Sequence, residues 1–172
     1  LATYPATRGS EALRQAIAHW LYRRFAVSAS ADHQILPVNG TREGLFAFAQ
    51  AVLSGQASGL VGMPNPFYQI YEGAALLAGA TPFFLANTAT SDYQADFDNV
   101  AAATWDAMEL LYICSPGNPT GHLISDAQMQ RLIELAHRHD FIIAADECYS
   151  EIYYTEQTRP SSLLAASDAM GN

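Results

Sequence analysis

Five short extended runs, at 34–38, 59–63, 81–86, 109–114 and 141–145, alternate along the chain with stretches that read as helix. Short apolar strands separated by helices of about a dozen residues pack most simply as a parallel sheet with helices on its faces. This alternation limits the fold more than any other feature. Ser10 can cap a first helix in which Leu13, Ile17, Trp20, Leu21 and Phe25 recur at helical spacing, with Arg14, Arg23 and Arg24 on its other faces. Alanine-rich helices follow over 41–53 and 68–78, the second stopped by Gly79. Ser125 and Gln128 form a capping-box pattern for a helix running to His139, with Met129, Leu132, Ile133 and Leu135 as its apolar side. The segment 87–107 is polar and mixed, with a short helix expected over 97–103. The expected architecture is α/β, with three layers (α-β-α) around a mostly parallel sheet and one domain over residues 1–172. There is no internal repeat.

Composition narrows the function. The chain has 172 residues, 17 of them acidic and 8 basic, for a formal net charge of −9. A binder of nucleic-acid phosphates needs a basic face, so nucleic acid is not an expected partner. All eight basic residues are arginine, and there is no lysine. A mechanism that needs a lysine amine cannot be completed by these residues alone. Two cysteines, Cys114 and Cys148, give no disulfide framework, and a reducing, cytoplasmic setting is expected. No apolar run reaches the length of a membrane span, so no membrane partner is expected. The chain opens at Leu1 and stops at Asn172 in mid-flow, and reads as part of something longer.

Ligands of open α/β sheets bind outside the carboxyl ends of the strands, and those ends supply the candidates. Gly40, Thr41 and Arg42 open a helix with backbone N–H groups, a hydroxyl and a guanidinium, a set suited to phosphate and equally to a plain helix start. Asp146 ends an unbroken apolar strand. A buried carboxylate there needs a cation or strong donor, such as a protonated ring nitrogen, unless it caps the following turn. Tyr149, three residues on, can face the same crevice or the core. The loop 115–121 packs two prolines, two glycines and Asn118 into seven residues. The five histidines show no metal-ligand spacing, and no metal is expected. No dinucleotide or nucleoside-triphosphate glycine pattern occurs.

These motifs resemble those of the fold-type I, class I/II aminotransferases, which use pyridoxal 5'-phosphate. The resemblance is carried by 115–121 (Ser-Pro-Gly-Asn-Pro-Thr-Gly) and 146–153 (Asp-Glu-Cys-Tyr-Ser-Glu-Ile-Tyr). It is supported by 65–74 and by 39–44, and it runs from Tyr4 to about Tyr153. Among these enzymes the chain is most similar to the bacterial succinyldiaminopimelate aminotransferases of lysine biosynthesis. The resemblance implies a partial large domain, with the remaining strands, the lysine segment and the small domain absent.

By the same resemblance, Asp146 would pair with the pyridinium nitrogen, and Asn118 and Tyr149 would bond the ring's phenolic oxygen. Tyr68 would stack on the ring. Gly40, Thr41 and Arg42 would hold the phosphate, with Tyr4 reaching that of the neighbouring subunit in a homodimer. Cis bonds are expected at Asn65-Pro66 and Asn118-Pro119. The implied reaction moves an amino group between glutamate and a keto acid, N-succinyl-2-amino-6-oxopimelate. Aspartate, alanine or aromatic aminotransferases are the alternatives, as is a non-catalytic, cofactor-sensing domain of a regulator. The family's attachment lysine would lie beyond these residues, so this chain alone is expected to be inactive.

Overall fold

The computed structural model describes residues 4–56 and 58–171. Its sheet has four parallel strands in the order β2-β1-β3-β4: β1 Leu60–Asn65, β2 Thr81–Ala86, β3 Met108–Cys114 and β4 Ile142–Asp146. The helices are α1 Glu11–Phe25, α2 Thr41–Val52, α3 Gln69–Leu77, α4 Ala102–Asp106, α5 Asp126–His139 and α6 Leu163–Ala169. The chain adds β2 on one side of β1, then returns to add β3 and β4 on the other. That reversal opens a crevice at the carboxyl ends of β1 and β3, where ligands of such sheets bind.

The side-chain alternation of β3 builds a core on each face. Leu110 and Tyr112, both fully buried, join Ala49 of α2 and Tyr71, Ala74 and Ala75 of α3. Leu111 and Ile113 turn the other way, toward Trp105 of α4 and Leu132 and Leu135 of α5. These are the expected three layers. Met108 shares a face with Leu111 because Glu109 is an extra residue in the ladder: Leu60 pairs with Met108, but Val61 with Leu110. The Glu109 carboxylate accepts bonds from the Ser54 N–H (2.8 Å) and hydroxyl (2.5 Å). A Cβ on Gly59 would overlap that carboxylate, so a larger residue there would displace the Glu109 side chain.

Helix α5 forms as expected. Ser125 Oγ accepts from Gln128 N (3.3 Å), Gln128 Oε1 accepts from Ser125 N (3.0 Å), and Met129, Leu132, Ile133 and Leu135 are buried. Three expectations change. Residues 34–38 form no strand: Pro37 removes a ladder donor, Gly9 packs against its ring, and Leu36 and Val38 are exposed. The helix expected over 97–103 lies at 102–106 instead. Asp96 Oδ1 accepts from Asn99 N (3.2 Å), a side-chain turn that competes with helix, while Phe97 enters the core. Beyond Ser150 the chain adds a 3-10 turn, Glu156–Thr158, and helix α6.

The third change concerns α1, whose apolar residues recur as read but are not what fixes it. Leu13 is 48% exposed and Trp20 36%, whereas Arg14 is buried at 7%. Arg14 donates to the carbonyls of Ala31 (2.9 Å), Gly9 (2.7 Å) and Arg8 (3.1 Å) and to Asp32 Oδ1 (3.2 Å). At the other end of α1, Arg24 donates to Glu151 Oε1 (2.5 Å) and to the carbonyls of Ser150 (3.1 Å) and Pro160 (3.0 Å). Two arginine clamps hold the helix. Arg14→Leu strands three carbonyls at once and is expected to cost about 2–3 kcal/mol, read from the urea midpoint. A loss below about 0.5 kcal/mol would show that water replaces the clamp.

Candidate functional site

A cavity of about 200 Å³ opens where β1, β3 and β4 end. Pro64 comes from β1, Cys114 from β3 and Asp146 from β4, joined by Phe67, Tyr68 and Tyr71 at the start of α3. Thr41 enters from the start of α2, Asn118 from the loop after β3, and Cys148 and Tyr149 from the turn after β4. The three peptide bonds Asn65-Pro66, Ser115-Pro116 and Asn118-Pro119 are cis. The first and third were expected; the second was not.

Asp146 is 7% exposed and is the buried acid of this cavity. Its Oδ2 accepts from Tyr71 Oη at 2.8 Å, and its Oδ1 accepts a longer bond from Cys148 N at 3.4 Å. Tyr71 is itself rigid. Its ring stacks on Tyr112 (centroids 4.4 Å apart, planes at 8°), Tyr68 meets it edge-on at 5.9 Å, and Tyr112 Oη donates to Leu45 O at 2.8 Å. Burial, with the adjacent Asp146 charge, pushes the Tyr71 hydroxyl far above its ordinary range, so Tyr71 serves as a fixed donor. Burial also raises the Cys114 thiol, and together with the bond to Asp146 lifts that of Cys148 to about 12. At neutral pH neither thiol is a ready nucleophile.

The next acid has a different job. Glu147 Oε1 accepts from Leu163 N at 2.7 Å, at the start of α6. Burial raises its carboxyl pKa, while the Ser162 hydroxyl, the Leu163 N–H and the Arg24 charge pull it back. With the folded pKa raised, this group's contribution to stability is full below the ordinary carboxylate pKa and fades as pH rises through the folded value. Glu147→Gln removes that dependence. From pH 4.5 to 7 the urea midpoint of the native chain is expected to fall relative to that of the variant. A constant difference across this window would exclude a raised carboxyl.

Of the eight residues singled out from sequence, Thr41, Tyr68, Asn118, Asp146 and Tyr149 line this one cavity. Gly40 is the N-cap of α2, where no side chain caps the helix, and Arg42 is exposed on its first turn; neither lines the cavity. Tyr4 is 98% exposed. Sequence reasoning passed over Tyr71. Its one signal is the spacing Tyr68-x-x-Tyr71, which puts both rings on one side of a helix start.

The chain and its fold are similar to those of known proteins. The profile of the family "Aminotransferase class I and II" matches residues 1–170. The LL-diaminopimelate aminotransferase of Nitratidesulfovibrio vulgaris (strain DSM 19637 / Miyazaki F) is 34% identical over 166 residues, 96% of this chain and 42% of its own length. Among solved structures, an aminotransferase from Neisseria meningitidis Z2491 superposes with a TM-score of 0.92 at 41% identity, over 99% of this chain and 43% of that one. Aminotransferase AspB from Helicobacter pylori 26695 gives 0.91 at 37% identity, over 100% of this chain and 44% of that one. The chain thus spans under half the length of the relatives it matches.

Proposed function

The chain belongs to the class I and II aminotransferases, and from that premise we propose that the protein containing it transfers an amino group between glutamate and a keto acid, using pyridoxal 5'-phosphate seated in the Asp146 cavity. The observation that carries this reading is the Asp146 carboxylate, buried at a strand end, fixed by Tyr71 and lining a cavity with Asn118 and Tyr149. A buried acid that lines the cavity suits a protonated ring nitrogen, and an amide and a phenol beside it suit an anionic ring oxygen. The donor set fits the cofactor.

When bound, pyridoxal phosphate supplies an electron sink for charge developing at the substrate's α-carbon. Asp146 keeps the proton on the ring nitrogen, and Tyr71 holds the carboxylate in one orientation. Asn118 and Tyr149 donate to the ring oxygen, and Tyr68 covers a ring face. Thr41, which lines the cavity, would hold the phosphate at the start of α2, where backbone N–H groups have no side-chain cap, with Gly40 and Arg42 reaching it from the flanking positions outside the cavity lining. In a cytoplasmic homodimer, the exposed Tyr4 reaches the partner's phosphate. The attachment amine must come from outside these 172 residues, none of which is lysine. This chain alone is therefore inert.

We propose N-succinyl-2-amino-6-oxopimelate as the amino acceptor. The names of the curated relatives favour a second reading, in which LL-diaminopimelate is the amino acid that reacts. The test is to purify the protein as encoded and assay both pairs: glutamate with the succinylated keto acid, and LL-diaminopimelate with 2-oxoglutarate. Turnover of the first pair alone supports the first reading, and of the second alone the other. Turnover of neither, with no cofactor absorbance in the purified protein, would overturn the functional proposal.

A further inference from the structure

A second, smaller cavity of about 30 Å³ lies behind the loop that presents Asn118. It shares Pro64 and Cys114 with the Asp146 cavity, so these two residues form a wall between them. The rest of its lining is largely apolar, including Leu85, Phe97 and Ile113. Four polar side chains, Asn87, Thr120, His122 and Gln128, interrupt it, and two of them carry a buried atom without a partner. Asn87 Oδ1, just past the end of β2, and His122 Nε2, just past the Asn118 loop, are both buried and have no hydrogen-bond partner among the described residues. A buried polar atom left unpaired is costly, and two in one small cavity call for a common partner.

We propose that this cavity is a binding site for one structural water, held between Asn87 and His122. Its volume exceeds the roughly 10–15 Å³ that one water requires. The chemistry fits either histidine tautomer: the water donates to Asn87 Oδ1, then accepts from a protonated Nε2 or donates to an unprotonated one. A direct bond between the two side chains would need one tautomer only.

The loop is already braced within itself. Gly117 N donates to His122 O (2.8 Å), Gly121 N to Gly117 O (2.7 Å) and Ile124 N to Ser115 Oγ (3.1 Å). The backbone of Asn87 is likewise anchored, donating to Asn65 O at 2.9 Å. The water joins these two braced pieces across the cavity and fastens the loop to the exit of β2. This inference stands whether or not the functional proposal does.

The test is a high-resolution crystal structure of the protein as encoded, with a double-mutant cycle on Asn87→Leu and His122→Leu. One solvent peak within hydrogen-bond distance of both atoms is the expected result. A direct Asn87–His122 bond, an empty cavity, or a peak that strengthens in rubidium-soaked crystals and so marks a cation would each overturn it. In urea, each single variant should lower the midpoint, and the double variant should lower it no further than the worse single. Additive losses would mean that the two residues share no partner. Should a leucine variant fail to fold, the crystal structure of the unmodified protein decides the question alone.

Discussion

Replacing Asp146 by asparagine is expected to lower kcat/KM of the encoded protein by on the order of 100- to 1000-fold, equivalent to about 3–4 kcal/mol of transition-state stabilisation. The variant isolates charge from shape. Asparagine keeps an oxygen that can accept from Tyr71 Oη, now 2.8 Å from the carboxylate, so the cavity wall survives. It removes the negative charge proposed to keep a ring nitrogen protonated. The thermal midpoint should therefore stay close to that of the native protein while turnover collapses. A loss below tenfold in a well-folded variant would remove Asp146 from the proposed role.

Trp105→Ala should give the largest loss of stability, about 3–5 kcal/mol in a urea titration. Trp105 is 2% exposed and stacks on Phe141, with centroids 5.4 Å apart and planes at 14°. It belongs to the same cluster as Met108, Leu111, Leu132 and Leu135. Helix α4 has five residues, too few to hold together without tertiary packing. A further tie is the pair between Asp106 and His139 Nδ1 at 2.7 Å, at the end of α5. Against a typical total stability of about 5–15 kcal/mol, the variant would be close to unfolding. A loss below about 1 kcal/mol would mean that Trp105 does not anchor this face of the sheet.

Where local chemistry and tertiary packing agree, the sequence was readable. Helix α5 carries its caps and its buried side in one window, and 81–86 and 141–145 are apolar enough to have one use. At 34–38 the same reasoning failed. Apolar residues there looked like a strand, but Pro37 lacks the donor a ladder needs, and the run became a connection. Arg14 shows the opposite failure: a charged side chain on a helix reads as solvated, yet this one is buried because two carbonyls of the turn before the helix and that of Ala31, 17 residues on, converge on it. Convergence of that kind leaves no periodic trace.

The same holds for the site. Thr41, Tyr68, Asn118, Asp146 and Tyr149 were legible because each sits at the end or start of a regular element, where a ligand crevice must lie. Tyr71 was not, because its hydroxyl matters only through a partner 75 residues away. Tyr4 remains a proposal about a neighbouring subunit.

The clamp at Arg24 has a consequence for the newborn chain. Its partners at Ser150, Glu151 and Pro160 lie 126 to 136 residues later, so α1 leaves the ribosome long before anything exists to fasten its far end. Synthesis then runs opposite to assembly: the sheet can grow strand by strand while α1 waits with Trp20 and Phe25 uncovered. Helix α1 is thus translated early and docked late, and a chaperone would find its opening for that whole interval.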